Sequence, residues 1–329
     1  MQLSILPVAY ASVALAGLTL VAIGPRHPAP PPALTVSGTV AAMGQAGAAA
    51  AADPDTLPDD EAGRTVRLGR DLLRRTYALI GPDVADPALR YAGNNLACSS
   101  CHLDAGSMHG NGLSLIGIAA GFPRYDARTG RPATIADRVQ ECMTRSMNGK
   151  ALPEDSQQLR AMVAYLQFLA AGSPPVVKPK PIPELTRAAD PVRGKAVYQQ
   201  MCLACHGADG QGQRMDRLGE ARGYQFPPLW GPDSFNDGAG MNRLITTANF
   251  VHDNMPAGAT AQDPVLSVEQ AWDVAAFVVS QPRPQKSGLE ADYPIRSQKP
   301  VDTPYGPYAD GASEQQHKYG PFGPLQTKK

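Results

Sequence analysis

The pentapeptide Cys-x-x-Cys-His occurs twice in this chain of 329 residues, and it constrains the fold more than any other feature. The first copy spans Cys98–His102 and the second Cys202–His206. This spacing attaches haem c, because the two thiols form thioethers with the porphyrin and the adjacent histidine becomes an iron ligand. A zinc knuckle or a redox disulfide also uses Cys-x-x-Cys, but neither calls for a histidine directly after both copies. We therefore predict two covalently bound haem c groups, held by Cys98, Cys101, Cys202 and Cys205, with His102 and His206 as iron ligands.

Composition sets wider limits. Aromatic residues make up only 6% of the chain, and a porphyrin would supply core material that aromatic side chains usually provide. Lysine plus arginine number 30 and aspartate plus glutamate also number 30, so the formal net charge is zero. This balance argues against a nucleic-acid binder, which usually carries a basic excess.

The N-terminal segment is apolar. Residues 1–25 contain no charged side chain, and residues 3–23 are apolar enough for an export signal or an N-terminal membrane anchor. Residues 26–59 are rich in proline and alanine and are predicted to be a linker. We expect an exported protein in which this segment is either cleaved or kept as an anchor.

The remaining sequence repeats in outline. In the second half, Asp190-Pro191 predicts the start of a helix that runs to Met201, and a capping box at Ser267 predicts another. The first half ends with apolar residues at helical spacing between positions 159 and 169. The interval from His102 to Phe168 equals that from His206 to Trp272.

These repeats predict a mostly α fold with two tandem class I cytochrome c-like domains. The first covers residues 60–172 and opens with an amphipathic helix over residues 61–80. A stiff proline-rich linker at 173–186 leads to the second domain at 187–282. Residues 283–329 show no apolar periodicity and are predicted to be an extended strap or a disordered tail.

The second haem needs a ligand on its other face, and three methionines are candidates. Met215 lies too close to His206 in sequence to cross the porphyrin easily. Met255 precedes a proline, which favours an extended turn that can project the thioether at the iron. We predict Met255 as the ligand, with Met241 as the alternative.

The first haem raises a sharper question, because Cys142 is the one cysteine that haem attachment does not use. It falls in the region where the second domain has its sixth ligand. Thr134 and Asp137 could start a helix on which Arg138, Cys142, Arg145 and Ser146 share one face. Neighbouring cations and a metal both lower the pKa of a thiol and favour the nucleophilic thiolate. The alternative is that Cys142 packs in the core while Met143 or Met147 binds the iron.

Several segments resemble a known family. Residues 91–103, 134–138 and 142–149, followed by 238–241 and 252–256, are similar in order and spacing to the dihaem c-type thiosulfate dehydrogenases that form tetrathionate. The neighbourhood of Cys142 is the specific part, because many cytochromes share the haem motifs. The resemblance implies periplasmic location, His102 with Cys142 on the first haem iron, and His206 with Met255 on the second. Some relatives have a lysine before this methionine that takes part in ligand exchange, whereas this chain has Asn254, so no such exchange is expected.

The resemblance also implies a reaction, the oxidation of two thiosulfates to tetrathionate in a direction that the sequence leaves open. Cys142 would carry the substrate sulfur, and electrons would pass through the second haem to a small periplasmic cytochrome or another redox protein. A cationic pocket suits a dianionic substrate, and we expect it to be formed by Arg138, Arg145, Ser146 and Lys150. Two other classes stay open: a non-catalytic dihaem electron carrier, and a haem subunit of a sulfur-oxidising complex.

Overall fold

The structure is a computed structural model that describes residues 53–108, 113–171, 180–215 and 222–326. The predicted signal or anchor at 3–23, most of the first linker and half of the proline-rich linker lie outside these ranges. Within the described ranges, no helix combines the length and apolar character needed to cross a membrane.

The first domain contains four helices and one antiparallel strand pair among the residues described. The helices are α1 (Glu61–Arg74), α2 (Thr76–Leu79), α3 (Ile135–Thr144) and α4 (Gln157–Ala170). Strands β1 (Arg124–Asp126) and β2 (Arg131–Ala133) form a short hairpin directly before α3.

The second domain has the same plan. Its helices are α5 (Pro191–Met201), α6 (Leu203–His206), α7 (Leu244–Asn254) and α8 (Val268–Ser280). A second antiparallel pair, β3 (Gln213–Arg214) and β4 (Tyr224–Phe226), follows the haem motif. The predicted mostly α fold with tandem cytochrome c-like domains is confirmed.

The helices begin where local chemistry predicts. Asp190 caps α5 by accepting from the amides of Val192 and Arg193, and Pro191 occupies the first turn, where its missing N–H costs nothing. Ser267 and Gln270 form the predicted capping box of α8.

The predicted helix over 61–80 is wrong at one point, because it breaks at Arg75 into α1 and α2. Arg75 has non-helical angles (φ −133°, ψ 41°). The break places fully buried Thr76 beside the haem motif, where its hydroxyl accepts from the amide of Cys98 at 3.1 Å and donates to the Leu72 carbonyl.

Each domain is built on a crossing of its first and last helices, α1 with α4 and α5 with α8. A glycine lies at each crossing. A Cβ on Gly69 would overlap the carbonyl oxygen of Ala161, and a Cβ on Gly194 would overlap that of Asp273. Each crossing therefore needs a residue without a side chain, so that the helix backbones can touch.

Residues 283–326 form a strap with two short helices, α9 (Glu314–Tyr319) and α10 (Gly323–Gln326). The strap contacts the first domain through Tyr293, whose amide donates to the carbonyl of Arg128 at 2.7 Å. It then returns to the second domain, where Phe322 packs on Trp272 with ring centroids 6.0 Å apart. Of the two predicted alternatives for this segment, the structure favours the strap, although it is folded into short turns and helices rather than extended throughout.

Candidate functional site

Both motif histidines are oriented in the same way. His102 Nδ1 lies 2.5 Å from the carbonyl oxygen of Leu113, and His206 Nδ1 lies 2.8 Å from that of Pro227. A ring whose Nδ1–H donates to a carbonyl keeps its Nε2 lone pair available for a metal. The protein therefore fixes both imidazoles in the tautomer that binds haem iron.

The motif cysteines also fit covalent haem, since none of them forms a disulfide. Burial raises the pKa of Cys98 to about 12 and that of Cys101 to about 11. The charge of a Cys142 thiolate raises both values further, so the third sulfur of this domain interacts electrostatically with the first two. The chain thus holds two c-type haems, one in each domain.

Helix α3 positions Cys142. The Thr134 hydroxyl accepts from the amide of Asp137 at 3.1 Å, while the Asp137 carboxylate accepts from the amide of Thr134 at 2.8 Å. This capping box fixes the start of the helix at Ile135, as predicted, and sets which side chains face the first haem motif. Cys142 is half-buried in the last turn of α3.

Arg138 lies one helical turn before Cys142 and on the same face. The charge of Cys142 is the largest cause that raises the pKa of Arg138. Burial lowers the pKa of His102, and the positive charge of Arg138 lowers it further. Arg138 therefore interacts electrostatically with both Cys142 and His102, and its guanidinium can attract an anion to this part of the first domain.

Arg128 is a second cation of this region that sequence analysis did not assign to the site. It lies in the turn of the β1–β2 hairpin, and its Nε is 3.8 Å from Glu141 Oε1. Glu141 also receives Arg138 Nη1 at 3.2 Å, so one carboxylate links two arginines. Basic residues outnumber acidic ones between positions 124 and 150, which indicates a cationic region. The hairpin that folds Arg128 onto α3 has no strong sequence signal.

The single face predicted for Arg138, Cys142, Arg145 and Ser146 is wrong beyond Cys142, because α3 ends at Thr144. Arg145 turns away and is buried, with its guanidinium donating to Asp292 at 2.7 Å and to the carbonyl of Gly238 at 3.1 Å. The structure assigns Arg145 to a buried ion pair with the strap, so direct binding of substrate by Arg145 is not retained.

The two other predicted substrate ligands have different surroundings. Ser146 is partly buried, and its carbonyl accepts from Asn94 Nδ2 at 3.0 Å. Lys150 is exposed, and its Nζ lies 5.2 Å from the ring centroid of Tyr91. Both roles stay predictions.

The candidate methionine ligands differ in how deeply they are buried. Met143 and Met147 are 1% and 2% exposed and belong to the apolar core of the first domain, where they remain the alternative to Cys142. Met215 is 37% exposed, with the Tyr77 hydroxyl 3.7 Å from its sulfur. Met255 directly follows α7 in extended backbone and is partly buried; its role as second-haem ligand stays a prediction.

Two family models match the chain, one in each half. The "SoxA/TsdA, cytochrome c domain" model matches residues 90–174. The "Cytochrome C oxidase, cbb3-type, subunit III" model matches residues 189–278.

Curated relatives align with most of this chain. A thiosulfate dehydrogenase of Allochromatium vinosum is 42% identical over 82% of this chain and 93% of its own length. A thiosulfate dehydrogenase of Thiomonas intermedia is 40% identical over 70% of this chain and 69% of its own. A solved structure of thiosulfate dehydrogenase (TsdBA) from Marichromatium purpuratum aligns with a TM-score of 0.61 at 34% identity. That alignment covers 73% of this chain and half (50%) of the solved one.

Proposed function

Because this chain belongs to the family of c-type thiosulfate dehydrogenases, haem enzymes that oxidise thiosulfate, we propose that it joins two thiosulfates into tetrathionate at Cys142. The observation that carries the proposal is that Cys142 lies one helical turn after Arg138 on α3, in the domain that holds the first haem motif. This spacing puts a sulfur and a cation on one helix face, in the same domain as His102.

The chemistry begins with binding. Thiosulfate is a dianion, and the Arg138 guanidinium can donate charge-assisted hydrogen bonds to its oxygens. Arg128 adds positive charge from the hairpin, and the Glu141 carboxylate pairs with both guanidinium groups. Ser146 and Lys150 lie farther along the chain after Cys142, as additional donors. Bound in this way, the substrate presents its sulfane sulfur to Cys142.

The reaction then has two steps. In the first, an S–S bond forms between the Cys142 thiolate and the sulfane sulfur, giving Cys–S–S–SO3⁻, and two electrons leave. In the second, another thiosulfate attacks the sulfane sulfur of this adduct, the Cys142 thiolate departs and tetrathionate is released, as in thiol–disulfide exchange. The two haems, when bound, would supply the oxidising capacity, because each can accept one electron. The same steps in reverse would reduce tetrathionate.

The second domain has a relay role in this proposal. His206 and Met255 would bind its iron, and the electrons would pass to an external acceptor, a small cytochrome or another redox protein. We expect this exchange to take place in the periplasm, because the apolar segment at 3–23 predicts export. The predicted segment at 3–23 would serve as signal or anchor.

The test is an anaerobic assay of the purified holoprotein with thiosulfate and an artificial electron acceptor, followed by analysis for tetrathionate. Cys142→Ala should keep both haems, since the thioether cysteines are unchanged, and should lose turnover in both directions. Thr144→Ala is a matched control on the same helix, because its hydroxyl donates only to helix carbonyls. Mass spectrometry of wild-type protein exposed to tetrathionate should find a thiosulfate-sized adduct on the Cys142 peptide.

Two results would contradict the proposal. Substantial thiosulfate oxidation by Cys142→Ala would show that Cys142 only packs and that the reaction does not pass through its sulfur. Activity that appears only when a sulfur-carrier protein is added would make it a haem subunit of a sulfur-oxidising complex.

A further inference from the structure

The last carbonyls of α3 accept hydrogen bonds from two different domains. The last carbonyls of a helix have no partners within it and must find them elsewhere. Those of Cys142 and Met143 accept from the amides of Met147 and Gly149, both at 2.9 Å. The carbonyl of Thr144 accepts instead from the Asn236 side chain at 2.9 Å. Asn236 belongs to the second domain, so a different domain caps the helix that carries Cys142.

Asn236 makes further bonds at the same place. Its backbone amide donates to the carbonyl of Arg145 at 3.2 Å, and its Nδ2 also lies 3.1 Å from Asn148 Oδ1. Its own Oδ1 accepts from the amide of Gly238 at 3.2 Å, which orients the side chain. The residue is 2% exposed, so water cannot replace these bonds without local opening.

A second buried asparagine, in the first domain, strengthens this contact between the two domains. Asn94 of the first domain donates from Nδ2 to the carbonyl of Ser146 at 3.0 Å and to that of Ser234 at 3.1 Å. Asn94 is fully buried. The turn after α3 is therefore fixed to the second-domain loop at residues 233–238 by two buried amides, not by apolar contact alone.

We propose that Asn236 is a positioning residue for Cys142, which makes correct placement of the reactive sulfur depend on docking of the second haem domain. This inference rests on the proposed role of Cys142. Without the Asn236 amide, the partly buried Thr144 carbonyl loses its donor, and the last turn of α3 must shift or open further to bond to water. Cys142 lies in that turn, and a displacement on the scale of an ångström is enough to slow chemistry at a positioned group.

Asn236→Asp is the most informative change. The carboxylate keeps the acceptor for the Gly238 amide, so the loop retains its turn, but it has no N–H for the Thr144 carbonyl. Asn236→Ala removes both functions. Asn242→Ala is the matched control, because Asn242 is 6% exposed near the same loop, and its Nδ2 donates to the Asp237 carbonyl rather than to α3.

Three quantities should be measured on the full-length holoprotein: kcat and KM for thiosulfate, the rate of Cys142 alkylation by iodoacetamide, and the thermal midpoint. Both Asn236 variants should lower kcat by about tenfold or more while KM changes by less than about threefold. They should also change the alkylation rate of Cys142 several-fold at temperatures where the protein stays folded. Asn242→Ala should match wild type in kcat and in alkylation.

The inference is overturned if Asn236→Asp is folded and has wild-type kcat and wild-type alkylation of Cys142. It is also overturned if Asn242→Ala has effects as large as those of Asn236→Asp, since the loop would then act only through general stability. Failure of the proposed function is a separate result, because it requires Cys142→Ala to stay active. Altered alkylation in Asn236→Asp would still establish that Asn236 positions the sulfur.

Discussion

Arg138 and Cys142 lie one turn apart on α3, and this spacing makes Arg138 a specific test of how the anion is bound. Arg138→Gln should raise the KM for thiosulfate roughly tenfold or more, because a charge-assisted hydrogen bond to the substrate is lost. The remaining binding should depend less on ionic strength, since screened attraction is what the guanidinium supplies. Steady-state kinetics at two salt concentrations would measure both effects.

Arg131→Gln is the control for this change. Arg131 lies before the same helix, its side chain is 61% exposed, and it pairs with Asp137. It should leave KM within about twofold of wild type, since exposed ion pairs contribute little. Equal effects of the two substitutions would mean that overall charge, rather than a pocket, attracts thiosulfate.

The Arg145–Asp292 pair leads to the opposite expectation, a stability effect without a binding effect. The two side chains are 10% and 9% exposed, so removing one leaves the other charge buried. Asp292→Asn should lower the free energy of unfolding by about 3–5 kcal/mol, measured by urea denaturation of the holoprotein. The KM for thiosulfate should stay near the wild-type value; a large rise in KM with little loss of stability would return Arg145 to the substrate site.

These two arginines also show how far sequence analysis could reach at single positions. The capping box at Thr134 is local, so it fixed the register that puts Arg138 beside Cys142. The fate of Arg145 is not local, because its carboxylate partner lies 147 positions further along the chain. A helical projection cannot include so distant a partner. It also assumes that the helix continues, so it placed Arg145 on the face of Cys142 although α3 ends at Thr144.

At the scale of elements, the paired glycines at the helix crossings make the next prediction. In a helix, alanine is favoured over glycine by about 1 kcal/mol. Gly194→Ala should nevertheless lower the free energy of unfolding, by roughly 2 kcal/mol or more, because α5 must move away from the Asp273 carbonyl. Gly69→Ala should do the same in the first domain, where α1 meets the Ala161 carbonyl.

Gly311→Ala is the matched control, since an added Cβ there would meet no atom within 4 Å. The urea midpoints of the three holoprotein variants, compared with that of the wild type, would measure these changes in stability. A neutral or stabilising Gly194→Ala would show that the crossing can relax and that the glycine is not required by contact.

The elements themselves differ in how well sequence analysis anticipated them. Helices α5 and α8 follow from capping residues and apolar period, both of which are properties of short segments. The break at Arg75 depends on Thr76 bonding to the distant Cys98, and the strap depends on partners from both domains. Tertiary contacts decide these features, and local pattern carries little information about them.

At the scale of the whole molecule, the strap should be needed for stability. Truncation after Lys286 removes the Asp292 carboxylate and the buried side chains of Phe322 and Leu325, which are both 2% exposed. We expect the thermal midpoint to fall by roughly 10 °C or more, because each buried side chain contributes about 1.5–3 kcal/mol and the Arg145 charge loses its partner.

Truncation after Gln326 removes only residues 327–329 and serves as the control. Calorimetry or circular dichroism of the two holoproteins would measure the midpoints. Equal midpoints for the two truncated proteins would mean that the strap covers the surface without stabilising it.

The strap follows both domains in the chain, and this position sets an order of events during biosynthesis. When the two domains have emerged, the strap's carboxylate has not yet reached Arg145, and Arg128 still lacks the backbone bond from Tyr293. The contacts of the strap with Arg145 and Arg128 can therefore form only after both domains have been synthesised.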